Sequence, residues 1–344
     1  MARPVALTFW PAWPAHDVKN VMQYVTLPDD KTRKVSFYLA MEEYVARRAG
    51  NGDYLFYWQV EPSVIFGRNQ VVAAEVDTAY CREHGISLFR RKSGGGCVYA
   101  DMGNVMFSYI TGGGDVGLTF NRYIMMMVLV LRRMGVKAEA TGRNDIMVDG
   151  RKVSGNAFYR MPGRDIVHGT MLYDTDMENM VRAITPTDGK PAAGGVASVR
   201  AHVGLLKDYL DMGIADFKAE ARRNLCDGEL KLTAGDVAMI EETERATYLS
   251  HDFIYGHDPR HTVTRRRRME GVGVLEARLD VKGGVIKAAR LDGDYFAMGD
   301  VDGLMLRLVG VRLERDAVAE ALPERVDDVV MNLSKEDLVE LLTK

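Results

Sequence analysis

The sequence contains little cysteine. Its 344 residues include only Cys81, Cys97 and Cys226, an odd number whose spacing matches no zinc motif and no disulfide framework. Disulfides persist in oxidising compartments, whereas free thiols are typical of reducing ones. The scarcity of cysteine argues against a disulfide-stabilised secreted protein and predicts a cytoplasmic location.

Long apolar runs and an excess of positive charge are also lacking. The longest apolar run, residues 125–131, is far shorter than the roughly 20 residues that cross a bilayer. Prolines interrupt residues 1–17, which predicts that no signal peptide is present. The net charge of −3 provides no general attraction to nucleic acid or anionic membranes. We therefore expect a soluble protein with neither a membrane nor a nucleic-acid partner.

Apolar periodicity predicts two long helices in the first half of the chain. One spans residues 36–48, with Ser36 as a possible N-cap, and the other spans residues 119–134 and ends at a glycine. Aromatic and β-branched residues at 54–66 predict two strands divided by a proline. Short segments between residues 136 and 174, separated by turn residues, predict antiparallel strands.

The end of the chain predicts a compact unit of its own. Two β-patterned segments flank the pair Gly283-Gly284, and the Ser334/Asp337 spacing is typical of a helix N-terminus. A linker-like stretch precedes this part of the chain. We therefore divide the chain into residues 1–250 and residues 251–344.

The stretch RRKSGGGCVYADMGN, residues 90–104, places three consecutive glycines, Gly94 to Gly96, between arginines and an apolar segment. Glycine weakens regular structure, so three together favour a place where something approaches the backbone closely. A mobile loop and a cradle for an anionic ligand both fit the stretch by itself. The apolar strand that directly follows favours a loop with a fixed position over a mobile one.

The pair Asp149-Gly150 is the strongest hairpin signal in the chain. In the register of a two-residue type I′ turn, Asp145 faces Ser154, and both share one sheet face with Lys152. A carboxylate and an ammonium on one face form either a solvated surface pair or part of a cleft. The hairpin alone leaves both interpretations open.

Glycines recur inside the neighbouring strands. Gly155 follows Ser154, and Gly169 follows His168 in an otherwise apolar segment. A single histidine in such a segment is more often a hydrogen-bonded core residue than a catalyst. Glycines at several strand positions nevertheless favour close approach of a ligand.

These motifs resemble the lipoate-protein ligase A family in order and spacing. The resemblance covers roughly residues 36–312 and rests on the combination of motifs. The stretches that carry it are LAMEEYV, VIFGRNQVVAAEVD, RRKSGGGCVYADMGN, GRNDIMVDGRKVSGNAF, HGTMLYD, SVRAHV, IYGHDPRHTVTRRRR and LDGDYF.

The resemblance implies an α+β fold. It consists of a mixed β-sheet catalytic domain related to biotin-protein ligases and class II aminoacyl-tRNA synthetases, followed by a small α+β accessory domain. It also implies an enzyme that uses ATP and Mg²⁺ to convert lipoate to lipoyl-adenylate. The lipoyl group would then pass to a lysine on the lipoyl domain of a 2-oxoacid dehydrogenase E2 subunit or on the glycine cleavage H protein.

The same resemblance assigns roles to residues. Lys152 matches the family lysine that touches both the acyl carbonyl and the phosphate, and the glycines would let backbone N–H groups approach the adenylate. The predicted contacts with ATP and lipoyl-adenylate are Arg91, Gly96, Cys97, Val98, Tyr99 and Lys152. Those with lipoate are Ser93, Gly94, Gly95 and Lys152, and the supporting residues are Asp145, Ser154 and His168. Arg91 would hold a phosphate with its guanidinium fork.

Three positions depart from the family pattern. Ala100 stands where the family usually has a histidine, and Gly194 where it usually has a lysine, with Lys190 the nearest substitute. His202 replaces an arginine. The departures at Gly194 and His202 concern how the loop that contains the SVRAHV motif holds the nucleotide.

Two other functions are compatible with parts of the sequence. An ATP-independent octanoyl or lipoyl transferase has a similar hairpin but uses a cysteine nucleophile placed after the His-Gly motif, where only Cys226 follows. A nucleic-acid-binding or regulatory protein could use the four arginines at 265–268. The acidic net charge and the missing aromatic stacking pattern disfavour the second alternative.

Overall fold

The computed structural model describes residues 22–141, 144–184, 202–255 and 261–344. The strands are β1 (Met22–Thr26), β2 (Asp53–Trp58), β3 (Ser63–Phe66), β4 (Ser87–Arg90), β5 (Val98–Ala100), β6 (Asn104–Gly112), β7 (Ala138–Ala140), β8 (Asp145–Val148), β9 (Arg151–Met161), β10 (Arg164–Leu172), β11 (Gly228–Lys231), β12 (Val263–Met269), β13 (Gly273–Lys282) and β14 (Val285–Gly293).

The helices are α1 (Val35–Arg48), α2 (Val72–Glu75), α3 (Thr78–Glu83), α4 (Val116–Arg133), α5 (Met177–Ala183), α6 (Ile214–Leu225), α7 (Ala234–Thr243), α8 (His251–Tyr255), α9 (Val301–Leu306), α10 (Arg315–Ala321) and α11 (Lys335–Thr343). A π-helical turn lies at Glu244–Tyr248. Within the described ranges, no helix is long and apolar enough to cross a membrane.

The centre of the molecule is a mixed sheet in the order β11-β1-β2-β6-β10-β9-β8-β7. Strand β1 runs parallel to its two neighbours, β11 and β2. All the other neighbouring pairs in this sheet are antiparallel. Alternate side chains of β6 enter two cores, because successive residues of a strand point to opposite faces. Phe107 packs in the core that contains α4, and Met106 packs in the core that contains α1. The sheet is therefore covered by helices on both faces.

A smaller sheet, in the order β4-β3-β5, carries the glycine stretch. Strand β3 pairs in parallel with β4 and antiparallel with β5. The chain must therefore reverse direction between Arg90 and Val98, which is where the three glycines lie. We call residues 91–97 the glycine loop.

The C-terminal unit, residues 263–343, has a separate apolar core. Its antiparallel sheet β12-β13-β14 packs with helices α9 to α11. Both Gly283 and Gly284 have positive φ at the predicted turn, and the Ser334 side chain accepts a hydrogen bond from the Asp337 N–H at the start of α11. The predicted α+β class and this strand pair are confirmed.

The first helix begins one residue earlier than predicted. It starts at Val35 after Lys34, so the prediction of Ser36 as its N-cap was wrong. The Ser36 hydroxyl instead donates a hydrogen bond to Glu244 Oε1 at 2.5 Å. A distant acceptor on the π-helical turn thus satisfies a hydroxyl that is fully buried.

The C-terminal unit sits directly on the glycine loop. The Gly95 N–H donates to the Tyr295 carbonyl at 3.1 Å, and a Cβ on Gly94 would lie 2.2 Å from that same oxygen. Next in the chain, the Phe296 ring stacks on Phe158 with centroids 6.2 Å apart. We expected a ligand to explain the missing side chain at Gly94, and this was wrong, because protein backbone occupies that space.

Two alanine substitutions on this loop should therefore differ sharply. Neither Gly94 nor Gly96 has a positive φ, but Gly94 abuts backbone and Gly96 has nothing within 4 Å of an added Cβ. Gly94→Ala should lower the free energy of unfolding by about 1–3 kcal/mol, as overpacking does. Gly96→Ala should leave it unchanged or raise it slightly. Urea unfolding of both variants measures the difference, and equal stabilities would contradict the contact with Tyr295.

Candidate active site

A cleft opens beside the glycine loop. One part of its wall is apolar and comes from α1, β2, β3 and β6. The other part is polar and comes from the glycine loop and the segment from Asn144 through β9 and β10. The apolar wall consists of Leu39, Trp58, Ile65 and Met106, and the polar wall includes Arg91, Asn144, Lys152, Asn156, His168 and Thr170.

The Arg91 guanidinium organises the glycine loop. Its Nη1 donates to the Ile65 carbonyl at 2.9 Å, and its Nη2 donates to the carbonyls of Gly94 and Gly96 at 2.7 and 2.8 Å. Its Nε donates to Ser93 Oγ at 2.9 Å. Burial lowers the pKa of this guanidinium to about 10. The guanidinium that we predicted to hold a phosphate thus gives four hydrogen bonds to protein atoms. Its contact with a phosphate stays a prediction.

The hairpin has the predicted turn but a different register. Asp149 and Gly150 have φ values of 48° and 74°, as a type I′ turn requires. A bulge then places Val153 as an extra residue on β9, so that Asp145 faces Gly155 and not Ser154. The predicted pairing of Asp145 with Ser154 was therefore wrong.

The bulge decides which side chains line the cleft. Lys152 and Gly155 come to the same face, and a Cβ on Gly155 would lie 3.0 Å from Lys152 Nζ. The Lys152 ammonium pairs with Asp145 Oδ1 at 2.8 Å, and the backbone of Val203 bridges to Lys152 from the other side. Ser154 is fully buried and its hydroxyl donates to Asn156 Oδ1 at 3.3 Å. A tertiary irregularity of this kind has no signal in a strand pattern.

His168 lies on the cleft wall with both ring nitrogens engaged. Its Nε2 lies 2.7 Å from Ser93 Oγ, and its Nδ1 lies 3.0 Å from the Glu42 carboxylate. The histidine is thus both a hydrogen-bonded buried residue and part of the cleft. Sequence reasoning missed Glu42, although a carboxylate in an apolar helix is rarely fully buried without partners. It also missed Trp58 as a lining residue.

The structure brings most of the predicted residues to the cleft, with some exceptions. Tyr99 is buried in the small core, Ser93 lies behind His168, and Gly94 lies under Tyr295. Gly194 and Lys190 are outside the described residues. The predicted residues that line the cleft are Arg91, Gly95, Gly96, Cys97, Val98, Lys152 and His168.

The four consecutive arginines lie on β12 among carboxylates. Arg267 pairs with Glu340 at 2.9 Å, and Arg266 lines a second cavity with Glu75, Glu276 and two aspartates of the C-terminal unit. Burial, with a smaller contribution from Asp294, raises the pKa of Glu75 to about 7. The arginines thus occupy a mixed-charge surface, unlike the basic face that binds nucleic-acid phosphates.

Comparisons with known proteins identify the family to which this chain is similar. Residues 34–225 match a family model described as the lipoyl protein ligase A/B catalytic domain, and residues 258–342 match the bacterial lipoate protein ligase C-terminus. The chain is 35% identical to the lipoate-protein ligase LplJ of Bacillus subtilis over 316 residues, which is 88% of this chain and 95% of that protein.

Two solved structures share the fold. One is a bipartite lipoate protein ligase studied with its E2 lipoyl domain from Thermoplasma acidophilum, with a TM-score of 0.63 and 25% identity, covering 71% of this chain and all of that chain. The other is lipoate-protein ligase A bound with ATP, with a TM-score of 0.59 and 25% identity, covering 70% of this chain and 99% of that one. Together with the two family models and the near full-length relative, they show that this chain belongs to the lipoate-protein ligase family.

Proposed function

We propose that this cleft joins lipoate to ATP, forming lipoyl-adenylate, and then transfers the lipoyl group to a lysine of an acceptor protein. The observation that carries the proposal is that Lys152 lines the same cleft as an apolar wall. A hydrocarbon chain that ends in a carboxylate has matching chemistry, because its chain buries apolar area while its head group meets a fixed cation. The open backbone at Gly96 provides room beside both for a nucleotide.

In the first step, a lipoate oxygen attacks the α-phosphorus of ATP, and the bond to pyrophosphate breaks. Two anionic groups must approach each other, so positive charge at the meeting point lowers the barrier. Lys152 supplies such a charge, and Asp145 holds the ammonium in place. Gly155 leaves space for the lysine stem.

In the second step, the neutral amine of the acceptor lysine attacks the acyl carbon and loses a proton. The bond between that carbon and the phosphate oxygen breaks, and AMP leaves. Negative charge develops on the carbonyl oxygen during this attack. The Lys152 ammonium stabilises that charge, because a fixed donor in a cleft needs no reorganisation as the charge forms. Lys152 therefore acts electrostatically in both steps and forms no covalent link.

Mg²⁺ enters the proposal with ATP. In the described part of the chain, no group of three His, Cys, Asp or Glu side chains forms a metal cluster. Mg²⁺ is commonly held by phosphates, waters and one or two carboxylates, and Asp145 is the carboxylate beside Lys152. The ion would neutralise phosphate charge.

The acceptor and the domain division are also proposals. A lipoyl domain of an E2 subunit or an H protein is the acceptor that the family resemblance implies. The separate core of the C-terminal unit supports a catalytic part, residues 1–250, and an accessory part, residues 251–344. Three free cysteines fit the reducing conditions of the cytoplasm.

The cysteines support the adenylating reaction over a thiol transferase. Cys97 lines the cleft, but burial raises the pKa of its thiol, which donates to Gln70 Oε1 at 3.4 Å. Burial raises the pKa of Cys226 to about 12 and that of Cys81 to about 11. Thiol nucleophiles need a lowered pKa. None of the three is prepared for nucleophilic attack.

Lys152→Met should abolish ligation without unfolding the protein. Loss of one charge-stabilising donor costs roughly 100- to 1,000-fold in rate, whereas a half-exposed ion pair contributes at most about 1 kcal/mol to stability. Lipoylation of a purified apo lipoyl domain, followed by mass spectrometry, measures the rate. Lys287→Met, an exposed lysine on β14, is the control and should retain wild-type turnover. A folded Lys152→Met protein with near-normal turnover would contradict this role.

Replacing both Cys97 and Cys226 by alanine should leave ATP-dependent lipoylation largely intact. The acyl group is carried on AMP in an adenylating enzyme, so no thiol is needed, and the expected cost is a small packing loss. Pyrophosphate release and lipoylation, each with and without ATP, provide the readout. A folded but inactive double variant, or an acyl-cysteine adduct on the wild type, would favour the transferase.

A further inference from the structure

A buried carboxylate behind the cleft holds several donors at once. Glu42 on α1 is fully buried. It accepts hydrogen bonds from the Ser108 hydroxyl at 2.6 Å and from the Tyr159 hydroxyl at 3.4 Å, and His168 Nδ1 lies 3.0 Å away. The next residue on α1, Glu43, pairs with the Lys92 ammonium at 2.5 Å. Glu42 does not line the cleft, but its neighbour His168 does, and its neighbour Ser108 contacts Trp58, which does as well.

The contacts of Glu42 favour one tautomer of a neutral His168 ring. A carboxylate can only accept, so His168 donates from Nδ1. In the neutral ring, Nε2 then has a free lone pair, to which the Ser93 hydroxyl at 2.7 Å donates. The Ser93 oxygen in turn accepts the Arg91 Nε–H at 2.9 Å. A single direction of donation thus runs from Arg91 through Ser93 and His168 to Glu42.

Each end of this arrangement reaches a wall of the cleft. Arg91 holds the carbonyls of Gly94 and Gly96, so it sets the path of the glycine loop. On the other side of Glu42, the Ser108 oxygen accepts the Trp58 indole N–H at 2.9 Å. Trp58 belongs to the apolar wall. The same carboxylate is therefore connected to both walls.

We propose that Glu42 is a positioning residue for ligation, which holds the glycine loop through His168, Ser93 and Arg91 and holds Trp58 through Ser108. The proposal rests on the proposed function, because the two walls are those assigned to ATP and lipoate. In this proposal His168 connects the buried carboxylate to the glycine loop by hydrogen bonds and so fixes the position of the loop. A histidine that served only to fill the core would not need one tautomer.

The tautomer is the first test. The chain has seven histidines, and long-range ¹H–¹⁵N correlation spectra of histidine-labelled protein at pH 8 distinguish the two neutral forms. His168→Gln assigns the His168 signals by their loss. We expect a neutral ring protonated at Nδ1 in the wild type. A ring protonated at Nε2, or at both nitrogens, would overturn the proposal whether or not the protein ligates lipoate.

Kinetics supply the second test. Ser93→Ala breaks the connection between His168 and Arg91, and Glu42→Gln replaces the acceptor by an amide of the same shape. Each should lower kcat/KM for adenylation by roughly 3- to 10-fold, the value of one hydrogen bond. The control is Ser63→Ala, which removes another buried hydroxyl, one that donates to the Glu61 carbonyl at 2.7 Å. It should have wild-type kinetics despite a similar loss of thermal stability.

Coupling between the two changes separates positioning from general destabilisation. If one chain of bonds carries both effects, the double variant Glu42→Gln/Ser93→Ala should be no worse than Glu42→Gln alone. Multiplication of the two single effects would overturn the proposal. Amide hydrogen exchange at Gly96 should also accelerate in Ser93→Ala and not in Ser63→Ala. If the wild type released no pyrophosphate, the proposed function would be wrong, while the tautomer and the exchange rates would still decide this inference.

Discussion

The structure around the cleft depends on how one buried guanidinium is satisfied. Arg91 has no carboxylate among its hydrogen-bond partners and gives four hydrogen bonds to carbonyl and hydroxyl oxygens. A buried charge without such partners would be costly, so the surrounding backbone must turn its carbonyls inward. Those carbonyls belong to the glycine loop and to β3. The loop therefore has a fixed path even though its sequence is among the least restrictive in the chain.

The C-terminal unit depends on that path as well. The Tyr295 carbonyl accepts the Gly95 N–H and lies where any side chain at Gly94 would be. The Phe296 ring then enters the core beside α4. Close packing makes such a junction sensitive to a single carbon atom. One short loop thus contacts the cleft, the small sheet and the C-terminal unit.

The cleft combines an apolar wall with a charged ion pair. An apolar wall suits a hydrocarbon chain, and the ion pair of Lys152 with Asp145 suits the charged head group. The bulge at Val153 brings the lysine to this face, and Gly155 leaves room for it. The buried bonds of Glu42 connect both walls from behind, which explains how a polar group can lie deep in an apolar helix without lining the site.

Local patterns were sufficient to predict much of this protein. The α+β class was implied by the family resemblance. The type I′ turn at Asp149-Gly150 and the strands about Gly283-Gly284 followed from residue types and spacing, because turn geometry and periodicity are local properties. The bulge at Val153, the contact of Gly94 with Tyr295 and the partners of Glu42 did not. In each case the residues that meet are 8 to 201 positions apart in the chain, and only packing brings them together. The sequence by itself determined the chemistry available to the cleft, and the tertiary structure decided which side chains face it, because register and close contact are set by the whole fold.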